Sequence, residues 1–129
     1  MPHCILEYTD NIIESPDWDF LFRKIHAVLL DTGEWYEPDI KSRSIRHERY
    51  FIGNGDPDQA FITLSIQILE GRSDELKAQI SKNALDILVS FFSLSLEQLK
   101  TSITVQIVDI HKASYCRKVS YSNSDELKR

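Results

Sequence analysis

The chain has 129 residues, of which 42% are hydrophobic and 27% are charged, and its formal net charge is −5 at pH 7. This length and composition are typical of one globular domain, which we expect to span residues 1–129. The negative charge argues against nucleic acid as a partner, because phosphate binding needs a basic surface. The sequence has no apolar run of about 20 residues and no secretory signal, which predicts a cytoplasmic protein without membrane contact.

The cysteines and the chain length set two further expectations. Cys4 and Cys116 do not form a Cys-x-x-Cys pair, and neither has a histidine at metal-ligand spacing. We therefore predict neither a metal site nor a disulfide. A chain of this size buries only about two-thirds of the surface that its unfolded form exposes, so a sheet-rich fold would gain stability by covering one sheet face with a partner. The size thus favours oligomerisation.

The first half of the chain predicts a strand, a long helix and a second strand. Residues 3–8 predict a short strand with Cys4, Leu6 and Tyr8 on one face. Ser15 followed by Pro16 predicts a helix start, because serine caps the first turn and proline suits its first position. Apolar residues then recur at helical spacing until Thr32-Gly33 ends the helix. These apolar residues are Trp18, Leu21, Phe22, Ile25, Val28 and Leu29.

An unusually polar strand is predicted from about residue 39, and a turn and a third strand follow it. Alternate residues of a strand share one face, and one face of the polar strand is rich in cations. That face carries Lys41, Arg43, Ile45, His47, Arg49 and Phe51, and the other carries Ser42, Ser44 and Arg46. After the turn formers at 53–58, the third strand alternates Ala60, Ile62, Leu64, Ile66 and Ile68 with Phe61, Thr63, Ser65 and Gln67.

A second long helix and a last strand complete the pattern. Ser73 is the predicted helix cap, with Asp74 and Glu75 near the positive end of the helix dipole. From about His111 to residue 129, the charge and serine content predict an irregular polar tail, either disordered or docked on a partner subunit. The helical stripe is Leu76, Ile80, Ala84, Ile87, Leu88 and Phe91, and the strand is marked by Ile103, Val105 and Ile107.

The order of elements indicates two similar halves, at about residues 1–52 and 60–110. An Ile-Leu-Glu triplet ends the leading strand of each half, at 5–7 and 68–70. A long helix between two strands of one sheet usually makes a right-handed crossover between parallel neighbours. Two such βαβ units predict a two-layer α+β fold, with a four-stranded sheet and both helices on one face. The other sheet face is left bare, with the polarity of a subunit interface or a small binding pocket.

Several short motifs occur in a specific order along about residues 1–110. They are Met1-Pro2-His3, Glu7, Asp10-Asn11-Ile12, Thr32-Gly33, Ile40-Lys41-Ser42-Arg43 and Gly71-Arg72-Ser73. Each motif alone is a weak signal. Taken together, in this order and at this spacing, they resemble the 5-carboxymethyl-2-hydroxymuconate isomerase family of the tautomerase superfamily. The resemblance implies a tautomerase-like fold and a homotrimer.

The resemblance also implies an isomerase that moves a proton in an unsaturated 2-hydroxy polycarboxylate without a cofactor. The implied base is Pro2, whose nitrogen becomes a secondary amine once Met1 is removed. Desolvation and nearby cations would bring the pKa of that amine close to neutrality. The implied substrate-binding residues are Arg43, Arg72 and Lys41, although the family pattern has arginine at position 41. Lysine keeps the charge but loses the planar fork of donors.

Simpler interpretations of the same residues stay open. Without the resemblance, Pro2 is only a common second residue, and Lys41 and Arg43 are solvated cations on an edge strand. Arg72 would then pair with an acidic neighbour at the surface. Two other functions are also open: a tautomerase for a different enol acid, which Lys41 favours, and a binding or assembly module of the same fold that lacks catalysis because Met1 is retained.

Overall fold

A computed structural model describes residues 1–121. The strands are β1 (His3–Thr9), β2 (Lys41–His47), β3 (Gln59–Leu69) and β4 (Lys100–Ile110), and the helices are α1 (Trp18–Leu30), α2 (Asp74–Phe91) and α3 (Ser93–Gln98). Short 3-10 turns lie at Glu37–Asp39 and Lys112–Ser114. Residues 122–129, the end of the predicted polar tail, lie outside the described residues. Within residues 1–121, no helix has both the length and the apolar character needed to cross a membrane.

The four strands form one sheet in the order β2-β1-β3-β4. β1 is parallel to β2, and β3 is parallel to β4, so each long helix connects two neighbouring parallel strands. β1 and β3 pair antiparallel at the centre of the sheet, from His3 opposite Gln67 to Tyr8 opposite Ile62. The predicted α+β fold of two βαβ units is confirmed.

Both long helices pack on one face of the sheet. Cys4 and Leu6 of β1 point into this layer opposite Ile66 and Leu64 of β3, and all four side chains are fully buried. Burying an aliphatic side chain of this size contributes roughly 1.5–3 kcal/mol, so the alternating pattern decides which sheet face the helices cover. The helices contribute Leu21, Ile25, Leu29, Ile80, Ala84 and Leu88 to the same core.

The start of α1 differs from the prediction. Asp17, rather than Ser15, is the N-cap, and its carboxylate accepts a hydrogen bond from a main-chain amide of the first turn. Aspartate caps a helix as well as serine does, and its charge also interacts with the positive end of the helix. Trp18 begins the helix and packs on Tyr8 of β1, with ring centroids 5.0 Å apart. Ser73 caps α2 as predicted.

The sheet face opposite the helices, the open face, carries the residues predicted for it. Thr63 and Ser65 of β3 lie there and make cross-strand hydrogen bonds with β4. Thr104 Oγ1 donates to Thr63 Oγ1 at 3.1 Å, and Gln106 Nε2 donates to Ser65 Oγ at 2.8 Å. Phe61 adds an aromatic ring to this face. The open face is therefore mixed in polarity.

The described part of the predicted tail, residues 111–121, contacts its own chain at two places, so it is not disordered by itself. His111 Nδ1 lies 3.0 Å from a carboxylate oxygen of Glu70, directly after β3. Farther along, Arg117 pairs with Asp39 at 3.2 Å. These are contacts between residues far apart in sequence, and a low apolar content gives no sign of them.

Candidate active site

Pro2 lies at the end of the sheet where β1 and β2 begin and where β3 and β4 finish. We call this the Pro2 end. Pro2 directly precedes β1 and is buried. Its carbonyl oxygen accepts a hydrogen bond of 3.1 Å from the Lys41 amide at the start of β2. The structure includes Met1, so the Pro2 nitrogen is part of a peptide bond here.

Cationic side chains of β2 surround His3, the residue after Pro2. His3 pairs with Lys41 across the parallel strands, and Arg43 Nη1 donates to His3 Nδ1 at 3.1 Å. Burial is the main cause that lowers the pKa of His3, and the positive charges of the N-terminus, Arg43 and Lys41 lower it further. The site therefore disfavours an additional positive charge next to Pro2.

Lys41 and Arg43 occupy the same face of edge strand β2. They are two residues apart, which by strand rise is about 7 Å, so both can reach one small anion. Both side chains are exposed. Lys41 Nζ donates a 3.3 Å hydrogen bond to the main-chain carbonyl of Asp39, the residue that ends the preceding 3-10 turn. The position of the ammonium group is thus linked to that turn.

Arg72 reaches the Pro2 end from β3, three residues after that strand finishes. Its guanidinium lies 4.9 Å from the centre of the Trp35 ring, which is buried. Arg72 Nη1 also donates to the Leu69 carbonyl at 3.4 Å. An aromatic face restrains the plane of a guanidinium and so the directions of its donors. Trp35 was not predicted for the site, and its spacing in the sequence gives no signal.

A buried carboxylate next to these cations was also missed. Asp39 is 4% exposed. Arg117 Nη1, at 3.2 Å, and the Tyr121 hydroxyl, at 3.0 Å, both donate to Asp39 Oδ1. The hydrogen bond to Asp39 is the main cause that raises the pKa of the Tyr121 phenol. Because the partners are 78 and 82 residues from Asp39, no local motif marks this cluster.

The structure brings Pro2, Lys41 and Arg43 together around His3, and it places Arg72 at the same end of the sheet. Fixed cations at this spacing suit a ligand with several carboxylates, because ionised acceptors form the stronger hydrogen bonds. Among residues 1–121, no group of three or more His, Cys, Asp or Glu side chains is arranged to hold a metal ion. The arrangement places a group of cationic side chains next to Pro2.

A family model described as 5-carboxymethyl-2-hydroxymuconate isomerase matches residues 2–123. The chain belongs to the 5-carboxymethyl-2-hydroxymuconate isomerase family. It is 29% identical over 111 residues to the 5-carboxymethyl-2-hydroxymuconate Delta-isomerase of Escherichia coli, which covers 86% of this chain and 88% of the relative. The crystal structure of a 5-carboxymethyl-2-hydroxymuconate isomerase from Deinococcus radiodurans R1 is 30% identical, with a TM-score of 0.79, covering 91% of this chain and 88% of the other.

More distant structures share the fold alone. A fused 4-OT symmetric trimer superimposes with a TM-score of 0.69 at 13% identity, covering 96% of each chain. The predicted resemblance and the tautomerase-like fold are thus confirmed, and this member of the 5-carboxymethyl-2-hydroxymuconate isomerase family is an isomerase. The roles of Pro2, Lys41, Arg43 and Arg72 stay predictions.

Proposed function

We propose that this isomerase acts on 5-carboxymethyl-2-hydroxymuconate with Pro2 as its general base, in the N-terminal amine form that follows removal of Met1. The observation that carries the proposal is that Pro2 is buried next to His3, where burial and cations lower the pKa of a basic group. The same causes disfavour a protonated proline amine and move its pKa toward neutral pH. A base with a pKa near the working pH transfers protons most efficiently.

The proposed reaction moves one proton within the substrate. The Pro2 nitrogen accepts the proton of the dienol hydroxyl, and the electron pair of the O–H bond delocalises through the conjugated system as a dienolate. The protonated proline then gives this proton to the distant carbon, where a C–H bond forms as the oxygen becomes a carbonyl. Atoms and electrons balance without an oxidant or a reductant, so the proposed reaction uses no cofactor.

The cations of the Pro2 end are proposed to bind the substrate. Arg43 and Lys41 share the open face at the start of β2, and Arg72 has its guanidinium against Trp35. Arginine can donate two parallel hydrogen bonds to a carboxylate, and fixed positive charge stabilises the dienolate as it forms. The ligand is thus a small unsaturated polycarboxylate, which the enzyme would meet in the cytoplasm as the sequence predicts.

We further propose that three copies assemble through their open faces. The open face carries Ile5, Ile45 and Phe61 among polar side chains, and Ile45 is 41% exposed. Covering these side chains would remove apolar surface from water. The fused 4-OT relative with the same fold is a symmetric trimer. In a closed ring, each interface would bring residues of a neighbouring subunit toward the sheet that carries Pro2.

The test is a spectroscopic assay of the dienol-to-enone conversion of 5-carboxymethyl-2-hydroxymuconate, with protein whose intact mass shows that Met1 is absent. Turnover should fall by about 10²–10⁴-fold in Pro2→Ala, because that is the usual contribution of a positioned general base. Protein that retains Met1 should be as slow as Pro2→Ala, since an amide nitrogen has no useful basicity. Equal turnover in wild type and Pro2→Ala would contradict the proline base.

A second candidate is a tautomerase for a different enol acid. Lys41 favours it, because the family pattern has arginine at this position and because Lys41 Nζ bonds to the Asp39 carbonyl. A panel of unsaturated 2-hydroxy acids separates the two candidates: a higher kcat/KM for another acid changes the substrate but keeps the base. If no acid turns over and protein from its natural source retains Met1, the assembly module without catalysis becomes the better interpretation.

A further inference from the structure

Residues 111–121, which we call the strap, contact the Pro2 end near both edges of the sheet. The strap begins after edge strand β4, where His111 contacts Glu70, and it reaches Asp39 directly before the opposite edge strand, β2. Three gaps of about 4.8 Å between neighbouring strands put the two edges about 14 Å apart. From residue 110 to Arg117 the chain can extend over about 23 Å, so it can pass the ends of β3 and β1.

The first attachment of the strap lies beside Arg72. The Lys112 amide donates to a Glu70 carboxylate oxygen at 2.6 Å, and Glu70 stands two residues before Arg72. A Cβ built at Gly71, whose φ is +118°, would lie 3.5 Å from Lys112 Nζ. The strap therefore runs close to the main chain that leads into Arg72.

The second attachment lies beside Lys41. Arg117 and Tyr121 donate to the carboxylate of Asp39, whose main-chain carbonyl accepts from Lys41 Nζ. The side chains of Arg117 and Asp39 are only 16% and 5% exposed. A buried carboxylate is costly unless it is paired, so the docked strap offsets the cost of burying Asp39 by supplying two of its hydrogen-bond donors. The two attachments flank the cations that are proposed to bind the substrate.

We propose that the strap is a wall of the substrate site, and that Arg117 is the positioning residue that holds it there by pairing with Asp39. This inference rests on the proposed function, since it takes an unsaturated polycarboxylate as the ligand. With Arg117 docked, its guanidinium balances the charge of the Asp39 carboxylate, and Lys41 is available to the substrate. Without Arg117, the bare Asp39 carboxylate attracts Lys41 and repels the substrate, and the undocked strap lets water reach the site.

The binding experiment uses full-length protein without Met1 and titrates it with cis,cis-muconate, an unsaturated dicarboxylate, by calorimetry. Arg117→Met should weaken binding by about tenfold, as expected for a lost wall and a neighbouring bare charge. Lys82→Met removes the same charge from an exposed position on α2 and should bind like wild type. Equal binding by Arg117→Met and Lys82→Met would overturn the inference. Absence of binding by every protein, wild type included, would instead count against the proposed function.

Two more variants test separately whether release of the strap or the unpaired charge of Asp39 weakens binding. Asp39→Asn combined with Arg117→Met removes both charges, so it folds without a buried unpaired carboxylate. Its binding should stay weak because the strap is still released; wild-type binding by this double variant would overturn the role of the strap. Arg117→Lys keeps a charge that can reach Asp39 and should recover part of the lost affinity.

Hydrogen exchange gives a readout that does not depend on activity. The amides of residues 111–121 should exchange faster in Arg117→Met than in wild type, and cis,cis-muconate should slow their exchange in wild type. In the isomerase assay, Arg117→Met should raise KM by about tenfold and change kcat by less than about threefold, because it weakens binding without removing the base. Unchanged exchange in the variant would show that Arg117 does not hold the strap.

Discussion

β2 and β4 occupy equivalent positions in the two βαβ halves, yet different forces attach them to the sheet. On the helix side, β4 packs aliphatic side chains against the core, whereas β2 presents polar ones. One row across the sheet shows the contrast, because Val105 of β4 and Ser44 of β2 stand at its two ends. The row runs through Ser44, Leu6, Leu64 and Val105.

Polar contacts take the place of apolar packing along β2. Its Ser42 Oγ lies 2.7 Å from His26 Nε2 of α1, and its His47 Nε2 lies 2.9 Å from Glu7 Oε1 of β1. Partly exposed pairs of this kind contribute little to stability. Apolar packing therefore attaches β4 to the sheet, whereas β2 carries cations and gives up apolar packing on its helix side.

The sharpest test of this division is Arg43→Ala. We expect kcat/KM to fall by about 10²–10³-fold, because a fixed donor to a developing anion is worth that much. The free energy of unfolding should change by less than about 0.5 kcal/mol, as for other exposed sites. Steady-state kinetics and urea denaturation of the same protein measure both. The control is Arg49→Ala, which removes a charge beyond the far end of β2 and should change neither kcat/KM nor the free energy of unfolding. An equal loss of activity in Arg49→Ala would show that the effect of Arg43→Ala comes from net charge alone.

Two single substitutions in the same row of the sheet test whether apolar packing attaches β4 more firmly than β2. Val105→Ala should lower the free energy of unfolding by about 1–2 kcal/mol, because it removes two methyl groups packed on the core. Ser44→Ala, at the opposite end of the row, should change it by less than about 0.5 kcal/mol. Urea denaturation with a constant m-value gives both numbers. Equal losses would show that β2 is packed as firmly as β4.

The polar attachment of β2 should also depend on pH. Burial lowers the pKa of His26 below its usual value of 6.5, and the charge of Glu37 offsets this in part. As the pH falls below about 6.5, the unfolded chain therefore binds a proton at this position before the folded one does, and the free energy of unfolding decreases. Denaturation at pH 7.5 and at pH 5.5 should show a smaller decrease in His26→Gln than in wild type. The same decrease in both proteins would mean that His26 does not carry the effect.

The smallest expected effect concerns the reactivity of Cys4, which lies where β2 meets the apolar core. Cys4 of β1 stands between Ser42 and Ile66 in the sheet, and burial raises the pKa of its thiol to about 11. Little Cys4 thiolate therefore forms at pH 8. Cys116, by contrast, is exposed and can be reached by reagent. Native protein treated with iodoacetamide should gain one adduct by intact mass, and unfolded protein should gain two. Two adducts on the native protein would show that this boundary admits reagent.

The strand faces and the parallel neighbours within each half could be predicted, because alternation and a long connecting helix are local features of the sequence. The antiparallel pairing of β1 with β3 was not predicted, because it depends on how the two halves meet. The cap of α1 was misplaced by two residues, because serine and aspartate are equivalent as caps and the local sequence does not decide between Ser15 and Asp17. The short helix α3 was not predicted, because Ser93–Gln98 is too brief to show a period.

The candidate site could be predicted from the sequence only in part. Pro2 and Arg72 came from the resemblance, since nothing in their own spacing marks them as functional. The pairing of Asp39 with Arg117 and the stacking of Arg72 on Trp35 were out of reach, because both depend on where separate parts of the chain meet in the fold. Such contacts leave no trace in the periodicity of either segment.

The cations of β2 have one more consequence, because β2 is an edge of the sheet. Its outer backbone groups are open to pairing with any other extended chain, which is the usual route to aggregation. A second β2 laid alongside would bring Lys41, Arg43 and Arg46 close to identical charges. The same side chains that are proposed to attract an anionic substrate therefore also act as gatekeepers that keep newly made chains from adding to one another at this edge.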